Sequence, residues 1–218
     1  MNKRNYQKEL DRVLEGLGSR PSLLLHSCCA PCSSYVLTYL REYFDITLLY
    51  YNPNIYPDEE YRRRVDEQKR LIEVLNAMPV KDKSLGVIRF EEGEYDPGIF
   101  FEMVKGLEAV PEGGERCFKC YELRMREAAS MAAERGYDYF TTTLSISPLK
   151  NADRINETGE RLADEYGVKH LPSDFKKRNG YKISCELSRE YGLYRQDYCG
   201  CVYSKAEREA AKKGLEDA

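Results

Sequence analysis

Short apolar runs alternate with helix-like segments along most of this chain of 218 residues, and that alternation constrains the fold more than any other feature. The runs typical of buried strands occupy residues 23–25, 46–51, 87–90, 139–144 and 168–171. Between them apolar side chains recur with helical spacing, and the first such segment, residues 6–17, is expected to stop at Gly18. Strands that alternate with helices predict an α/β fold with a mainly parallel sheet and flanking helices.

The pattern changes after Pro172, where a polar tail rich in tyrosine and cysteine follows. We expect a single α/β domain over residues 1–218, with a sheet-and-helix core over 1–172 and a C-terminal tail over 173–218 that packs over the site. The charged segment 204–218 predicts a short helix. No apolar run approaches the about 18 residues that a membrane span needs, and the N-terminus leads into no signal-peptide core. We therefore expect a cytoplasmic protein without a membrane partner.

Eight cysteines are grouped in a way that predicts metal or redox chemistry, because disulfide frameworks are rare in a reducing compartment. Cys28, Cys29 and Cys32 lie between the first apolar run and a helical segment. At such a turn the free N–H groups and the dipole of the helix favour thiolate over thiol. Ligands of α/β sheets also bind at the carboxyl ends of strands. The alternative is that Cys28 and Cys29 are small buried hydrophobic residues.

A second pair, Cys117 and Cys120, follows a glycine-rich loop and is expected to lie directly before a helix. Together with Cys28 and Cys29 it offers four thiolates, which suit structural zinc or an iron–sulfur cluster. Adjacent cysteines make a poor zinc knuckle because consecutive side chains point apart, so the residues favour the wider cluster over zinc. Cys32 is either a further ligand or a helix residue that packs below the cluster.

The third pair, Cys199 and Cys201, is separated only by Gly200. Such a pair closes a disulfide only as a small strained ring, and strain makes the bond labile. The pair therefore predicts a reversible two-electron store or two ligands to a second metal, with passive packing as the remaining alternative. Asp197 and Tyr198 stand beside it as candidate proton donors or as simple surface residues.

The two histidines and the remaining cysteine are expected to have structural roles. His26 is expected to be a hydrogen-bonded histidine beside the site rather than a ligand, His170 to be structural, and Cys185 to be buried filler. The formal net charge of -3 neither predicts nor excludes a nucleic-acid partner. The sequence has no Walker-type or glycine-rich phosphate loop, so a nucleotide hydrolase or an ATP-driven thiolase would lack its phosphate cradle.

Five motifs together resemble those of the cobalamin-independent epoxyqueuosine reductases. They are H-S-C-C-A-P-C at 26–32, Y-N-P-N-I at 51–55, C-x-x-C at 117–120, T-T-T-L-S-I-S-P at 141–148 and L-Y-R-Q-D-Y-C-G-C-V-Y-S at 193–204. The resemblance spans the chain from about residue 20 to about residue 205. It implies the adenine-nucleotide α-hydrolase-like fold, with the cysteine turn at the place where related proteins bind phosphate.

The resemblance also implies an activity, the reduction of epoxyqueuosine to queuosine at the wobble position of tRNA, as the last step of queuosine biosynthesis. A four-iron, four-sulfur (4Fe-4S) cluster would be held by Cys28, Cys29, Cys117 and Cys120. Cys199 and Cys201 would be the redox-active pair, with Asp197 beside them, or would ligate an additional mononuclear iron. The partners would be tRNA that contains epoxyqueuosine and an external electron donor of unknown identity.

RNA contacts follow from the same hypothesis. Tyr51, Tyr56 and Tyr198 are expected to stack on bases, and the basic runs at 62–64 and 176–178 to contact phosphates. The alternative for the run at 62–64 is a solvated helix face. The competing function is a zinc-stabilised RNA-binding module without catalytic activity.

Overall fold

A computed structural model describes residues 4–78 and 85–216 and shows a five-stranded sheet flanked by helices. The strands are β1 (Ser22–His26), β2 (Asp45–Tyr50), β3 (Arg89–Glu92), β4 (Tyr139–Thr142) and β5 (Lys169–His170). Their order across the sheet is β3-β2-β1-β4-β5, and each neighbouring pair is parallel. The predicted α/β class with a parallel sheet is therefore confirmed.

Helices flank the sheet, and one of them, Gly180–Glu190, lies in the tail, where the sequence predicted no helix. They are α1 (Tyr6–Glu15), α2 (Ala30–Leu40), α3 (Asp58–Ala77), α4 (Pro97–Met103), α5 (Glu115–Glu134), α6 (Ala152–Tyr166), α7 (Gly180–Glu190) and α8 (Val202–Glu216), with a 3-10 turn at Thr143–Ile146. The predicted C-terminal helix corresponds to α8, and residues 217 and 218 of that prediction lie outside the described residues.

Two predicted helix boundaries are wrong. The first helix ends at Glu15, three residues before Gly18, with Gly16 as its C-cap, whose N–H bonds the carbonyls of Arg12 and Val13. Helix α5 begins at Glu115, so Cys117 and Cys120 lie within its first two turns rather than in the loop before it. The loop ends at Gly114, whose extended backbone leads directly into the helix.

The sheet is buried on both faces, as its continuous apolar strands require. Leu23 and Leu25 of β1 belong to a core with α1, α2 and α3, whereas Leu24 belongs to the opposite core with α5 and α6. Successive side chains of a strand point to opposite faces of the sheet, which explains why a run of three leucines contributes to both cores.

The strand order places a topological switch point between β1 and β4. The chain runs outward from β1 through β2 and β3, and then returns to the other side of β1 to form β4 and β5. At the carboxyl ends of the two central strands His26 is paired in register with Thr142. Open α/β sheets bind their ligands in the crevice at such a point. The fold therefore predicts a ligand site at the turn after β1.

The C-terminal tail returns to this end of the sheet along α2 and α3. Helix α7 packs on α2 so closely that a Cβ on Gly180 would lie 2.7 Å from Cε1 of Tyr35 of α2. Beyond α7, the N–H of Tyr194 bonds Glu67 of α3 at 2.6 Å. The extent of a single domain over the whole chain stays a prediction. Among the described residues, no helix combines the length and the apolar character needed to cross a membrane.

Candidate metal and active site

The turn after β1 brings three sulfur atoms together. The Sγ atoms of Cys28, Cys29 and Cys32 lie within 4.8 Å of one another. Cys29 is the N-cap of α2, and its Sγ accepts the N–H of Cys32 at 3.4 Å. Pro31 in the first turn fixes the start of the helix, because its backbone angle suits that position and it has no N–H to satisfy. The local sequence therefore folds into a compact group of potential metal ligands.

The three thiols of this turn differ in their pKa values. Hydrogen bonds from Cys29 and Cys32 lower the pKa of Cys28 well below its ordinary value. Burial, together with the neighbouring Cys28, raises the pKa of Cys29 to about 12. A thiolate at this turn, as predicted, is therefore favoured at Cys28 but not at Cys29, and its main cause is the neighbouring thiols and not the helix end. The remaining protons must be displaced when the sulfurs bind a metal ion, which takes thiolate ligands.

Cys117 and Cys120 stand one turn apart on α5, and this spacing puts both sulfurs on the same face of the helix. The N–H of Gly113 donates to Sγ of Cys117 at 3.3 Å. Cys120 is buried, and burial raises its pKa to about 12 although Arg124 opposes the effect. The electrostatic influence of Cys199 also reaches Cys120, which places the second cysteine pair beside the third.

The loop of Cys199 and Cys201 is held against the end of β2. The N–H of Tyr56 bonds the carbonyl of Gly200 at 3.0 Å, and Nη1 of Arg64 donates to the carbonyl of Cys199 at 3.1 Å. The two cysteines face different surroundings. Cys199 lines a cavity, whereas Cys201 packs in a small apolar cluster that includes Cys120. All eight cysteines are free thiols.

That cavity, of about 540 Å³, joins the first group of sulfurs to one cysteine of the tail. Its walls carry Cys28, Cys29 and Cys32 from the turn after β1 and Cys199 from the tail, whereas Cys117, Cys120 and Cys201 are not among its lining residues. Aromatic and basic side chains complete the lining, namely Lys150, Tyr181, Arg195, Tyr198, Arg208 and Lys212. The volume lies in the range of small-molecule sites, and the basic rim suits an anionic partner.

Two buried or half-buried cations beside the sulfurs were not anticipated from the sequence. Burial tends to lower the pKa of Lys150, but Cys199 and Cys28 raise it above its usual value overall. Arg124 is buried on α5 next to Cys120. A signal for Arg124 exists, since it stands four residues after Cys120 and therefore on the same helix face. No comparable pattern marks Lys150.

The two histidines can be placed. His26 is fully buried, with Nδ1 2.8 Å from Oγ1 of Thr142 and Nε2 3.1 Å from the carbonyl of Tyr51. Because a carbonyl only accepts, Nε2 carries the proton, and burial lowers the pKa of His26 to about 4. The structure thus shows the hydrogen-bonded, neutral histidine that the sequence suggested. His170 packs against Phe140, with ring centres 5.2 Å apart.

Asp197 lies at the cavity rim beside α8. Its carboxylate accepts a hydrogen bond from Nζ of Lys212, which lowers its pKa. With a side chain 57 % exposed, it is a solvated, ionised group at neutral pH. Tyr198 lines the cavity with its ring 5.2 Å from the guanidinium of Arg64. Cys185, expected as buried filler, is only half-buried on α7.

Two of the expected RNA contacts, Tyr51 and Arg64, are buried. Tyr51 is buried, and the exposed Tyr56 packs against Phe101 outside the cavity. The predicted phosphate contact of Arg64 is wrong, because its side chain is 2 % exposed and paired with Glu60. Four other basic residues of these runs have local partners. Arg62 pairs with Glu92, Arg63 lies over the ring of Tyr194, Lys176 pairs with Asp174, and Arg178 pairs with Asp11.

The donor set fits a thiolate-bound metal group. Cysteine thiolates are soft ligands that suit zinc and iron–sulfur clusters, and three of them already lie within reach of one centre. Arg124 supplies positive charge beside sulfurs that become negative on metal binding. A parallel α/β sheet whose switch point carries clustered free thiols defines an α/β protein with a candidate metal–thiolate site.

Similarity to known proteins identifies the family within that class. A family model described as "Epoxyqueuosine reductase QueH" matches residues 23–207. A protein of that name from Staphylococcus epidermidis is 44% identical over 217 residues, which cover 97% of this chain and 87% of its own. The Streptococcus pyogenes relative is 44% identical over 203 residues, covering 92% and 78%, and that of Thermotoga maritima is 36% identical over 187 residues, covering 86% and 92%. The chain belongs to the QueH family of epoxyqueuosine reductases and is an oxidoreductase, which confirms the resemblance seen in the motifs.

Proposed function

We propose that this chain reduces epoxyqueuosine to queuosine at the wobble position of tRNA, the last step of queuosine biosynthesis. Both C–O bonds of the epoxide break, the oxygen leaves as water, and an alkene forms at the expense of two electrons and two protons. The observation that carries the proposal is the cavity in which cysteines of the β1 turn face Cys199 of the tail. Two segments that are distant in the sequence thus line one cavity.

The cysteines divide into cluster ligands and a redox-active or iron-binding pair in this proposal. A 4Fe-4S cluster would be held by Cys28, Cys29, Cys117 and Cys120, and when bound it supplies single electrons at low potential. Cys32 is a further candidate ligand, since its Sγ lies within 4.8 Å of those of Cys28 and Cys29. Cys199 and Cys201 either store an electron pair as a dithiol or hold an additional mononuclear iron.

Other side chains of the cavity bind and orient the base. Tyr198 offers an aromatic face, and the ammonium of Lys150 can hydrogen-bond the oxygen that leaves the epoxide. Asp197 is ionised beside Lys212, so it fits a hydrogen-bond acceptor for the substrate better than the proton donor suggested by the sequence. Arg195 and Arg208 at the rim are placed to meet phosphates of the RNA backbone.

The test combines metal analysis with a product assay. The protein is purified without oxygen, its iron, sulfide and zinc are measured, and tRNA rich in epoxyqueuosine is then incubated with it and dithionite. We expect a brown protein with iron and sulfide, and queuosine in the nucleoside digest by mass spectrometry. Cys199→Ser should lose turnover, whereas Cys185→Ser, outside the cavity, should keep it.

Each other outcome is informative. One zinc per chain, a colourless protein and unchanged epoxyqueuosine would support the zinc-stabilised RNA-binding module. Full turnover by Cys199→Ser would remove the dithiol from the mechanism while leaving the cluster in place. Loss of activity in Cys185→Ser as well would point to general destabilisation.

A further inference from the structure

Two arginines are buried beside the cysteines, one from α3 and one from α5. The side chain of Arg64 is 2 % exposed, and Arg124 is 1 % exposed. Moving a charged group out of water costs several kcal/mol unless an opposite charge compensates it. The two arginines differ in how that compensation is provided.

Arg64 has a carboxylate partner. Its Nη2 lies 2.7 Å from Oε1 of Glu60, one turn earlier on α3, and its Nη1 donates to the carbonyl of Cys199. Glu60 itself is largely buried, and the hydroxyl of Tyr194 donates to it at 3.1 Å. The charge of Arg64 is therefore neutralised by a neighbouring residue whether or not anything is bound at the cysteines.

Arg124 has no such partner. Its Nε donates to the carbonyl of Cys120 at 3.1 Å, and its Nη1 approaches Oδ1 of Asn52 at 3.4 Å. Its buried Nη2 has no hydrogen-bond partner within residues 4–78 and 85–216, and no carboxylate of those residues forms an ion pair with it. Neutral oxygens satisfy two N–H groups but leave the positive charge uncompensated.

The groups that can become anionic around Arg124 are mainly cysteines. Cys120, Cys199 and Cys28 are the strongest negative influences on it, followed by the phenol of Tyr121. These three cysteines come from α5, the tail and the β1 turn, so the guanidinium lies within electrostatic reach of all three sulfur groups. It lines no wall of the cavity, so it acts through the sulfurs and not on the substrate.

We propose that Arg124 is the buried countercharge of the metal–thiolate group, a positioning residue that is compensated only when the sulfurs are thiolates. The inference rests on the proposed function, in which these cysteines hold the cluster. A positive charge beside the sulfurs stabilises thiolate ligands and also the added electron. It therefore tightens metal binding and raises the reduction potential of whatever the thiolates hold.

The test compares Arg124→Met with two reference variants. Arg124→Lys keeps the charge, and Arg126→Met removes a half-buried arginine of the same helix that is paired with Glu122 and Glu165. Cobalt(II) is titrated into the metal-free, reduced protein and followed by its thiolate charge-transfer absorption. We expect Arg124→Met to bind cobalt about tenfold or more weakly than wild type, and Arg126→Met to match wild type within about twofold. In iron-reconstituted protein, Arg124→Met should show a more negative midpoint potential, and Arg124→Lys should retain most of the wild-type value.

Stability of the metal-free protein separates this role from a merely structural one. Without metal the pKa of Cys28 is lowered, whereas burial raises that of Cys120, so the charge of Arg124 is at most partly compensated in the metal-free protein. Metal-free Arg124→Met should therefore melt close to metal-free wild type. With metal bound, wild type should be clearly more stable than Arg124→Met. A variant that is already unfolded without metal, or one with wild-type cobalt affinity and potential, overturns the inference. A third outcome separates the two proposals. If wild type assembles no iron–sulfur cluster but still binds cobalt more tightly than Arg124→Met, the proposed function is contradicted and the role of Arg124 is supported.

Discussion

Replacing Gly200 by alanine should disturb the tail loop that carries Cys199 and Cys201. The backbone of Gly200 has φ +127°, a conformation that residues with a side chain rarely adopt. A Cβ at this position would lie 2.8 Å from Cγ1 of Ile55 and 3.1 Å from Nη1 of Arg64. Ile55 is fully buried and Arg64 is held by Glu60, so neither neighbour can move away freely.

The magnitude has two parts. The backbone strain is worth about 1–2 kcal/mol for an alanine at such a φ. The overpacking against Ile55 adds about 1–3 kcal/mol, as inserted methyl groups do in well-packed interiors. The sum is about 3 kcal/mol, which lowers the melting temperature of a chain of this size by roughly 6–12 °C.

A matched control isolates the clash. Gly106 also has a positive φ, +79°, but a Cβ there would meet nothing within 4 Å, so Gly106→Ala carries backbone strain alone. Thermal melts of both variants and of wild type should rank Gly200→Ala lowest, with Gly106→Ala only about 2–8 °C below wild type because it carries the strain of about 1–2 kcal/mol alone. Turnover of epoxyqueuosine in tRNA should fall in Gly200→Ala and not in the control. Equal melting temperatures for the two variants would refute the claim that the close approach at Gly200 positions the loop.

Two further predictions concern buried charge. Arg64→Met should destabilise the fold by about 3–5 kcal/mol in thermal melts, because Glu60 is left unpaired in a buried position, and adding Glu60→Gln should recover part of the loss. Burial lowers the pKa of His170 to about 3, below the ordinary value of about 6.5 in the unfolded chain, so the folded state binds fewer protons. Its contribution is complete above pH 6.5 and is lost by up to about 1.4 kcal/mol per pH unit as the pH falls toward 3. Urea unfolding at pH 7 and pH 5 should therefore show about 2 kcal/mol less acid sensitivity in His170→Gln than in wild type, and equal sensitivity would contradict this reasoning.

The elements of the fold could be predicted from the sequence, but the strand order could not. The leucines before Cys28 predict a strand because a continuous apolar run fits a strand that is buried on both faces. Nothing in those residues tells on which side of β1 the fourth strand pairs, since that depends on packing between segments more than a hundred residues apart. The switch point was therefore visible only in the structure, whereas the cysteine turn at the end of the first strand was already predicted from the sequence.

Part of the site could also be predicted from the sequence, and part of it could not. Spacing within one segment predicted that the cysteines of the β1 turn would be neighbours, and Cys32 joins them because Cys29 caps the helix in which Cys32 lies. The start of α5 was missed because Glu115 and Arg116 carry no apolar periodicity, although they form its first turn. Arg124 was missed because a charged residue on a buried helix face is understandable only once the sulfurs opposite it are known.

The basic face of α3 shows how the tail is brought to this site. The sequence offered two interpretations of such a face, a solvated surface and a contact with phosphates. The structure shows a third for Arg70, which donates to the carbonyls of Tyr191 and Gly192, both at 3.0 Å. Arg64 of the same helix donates to the carbonyl of Cys199. Guanidinium groups can bind carbonyls of an irregular segment because they present several donors in a fixed plane.

It follows that α3 aligns the tail through main-chain contacts, which do not depend on the side chains that the tail carries. Its acidic residues take part in the same way, since Glu67 accepts the N–H of Tyr194. The position of Cys199 opposite the β1 turn is therefore set by charged residues that make no contact with the substrate cavity. A charge-rich helix beside a redox site can thus be structural in its role, and counting its arginines as RNA contacts would overestimate the nucleic-acid surface of this protein.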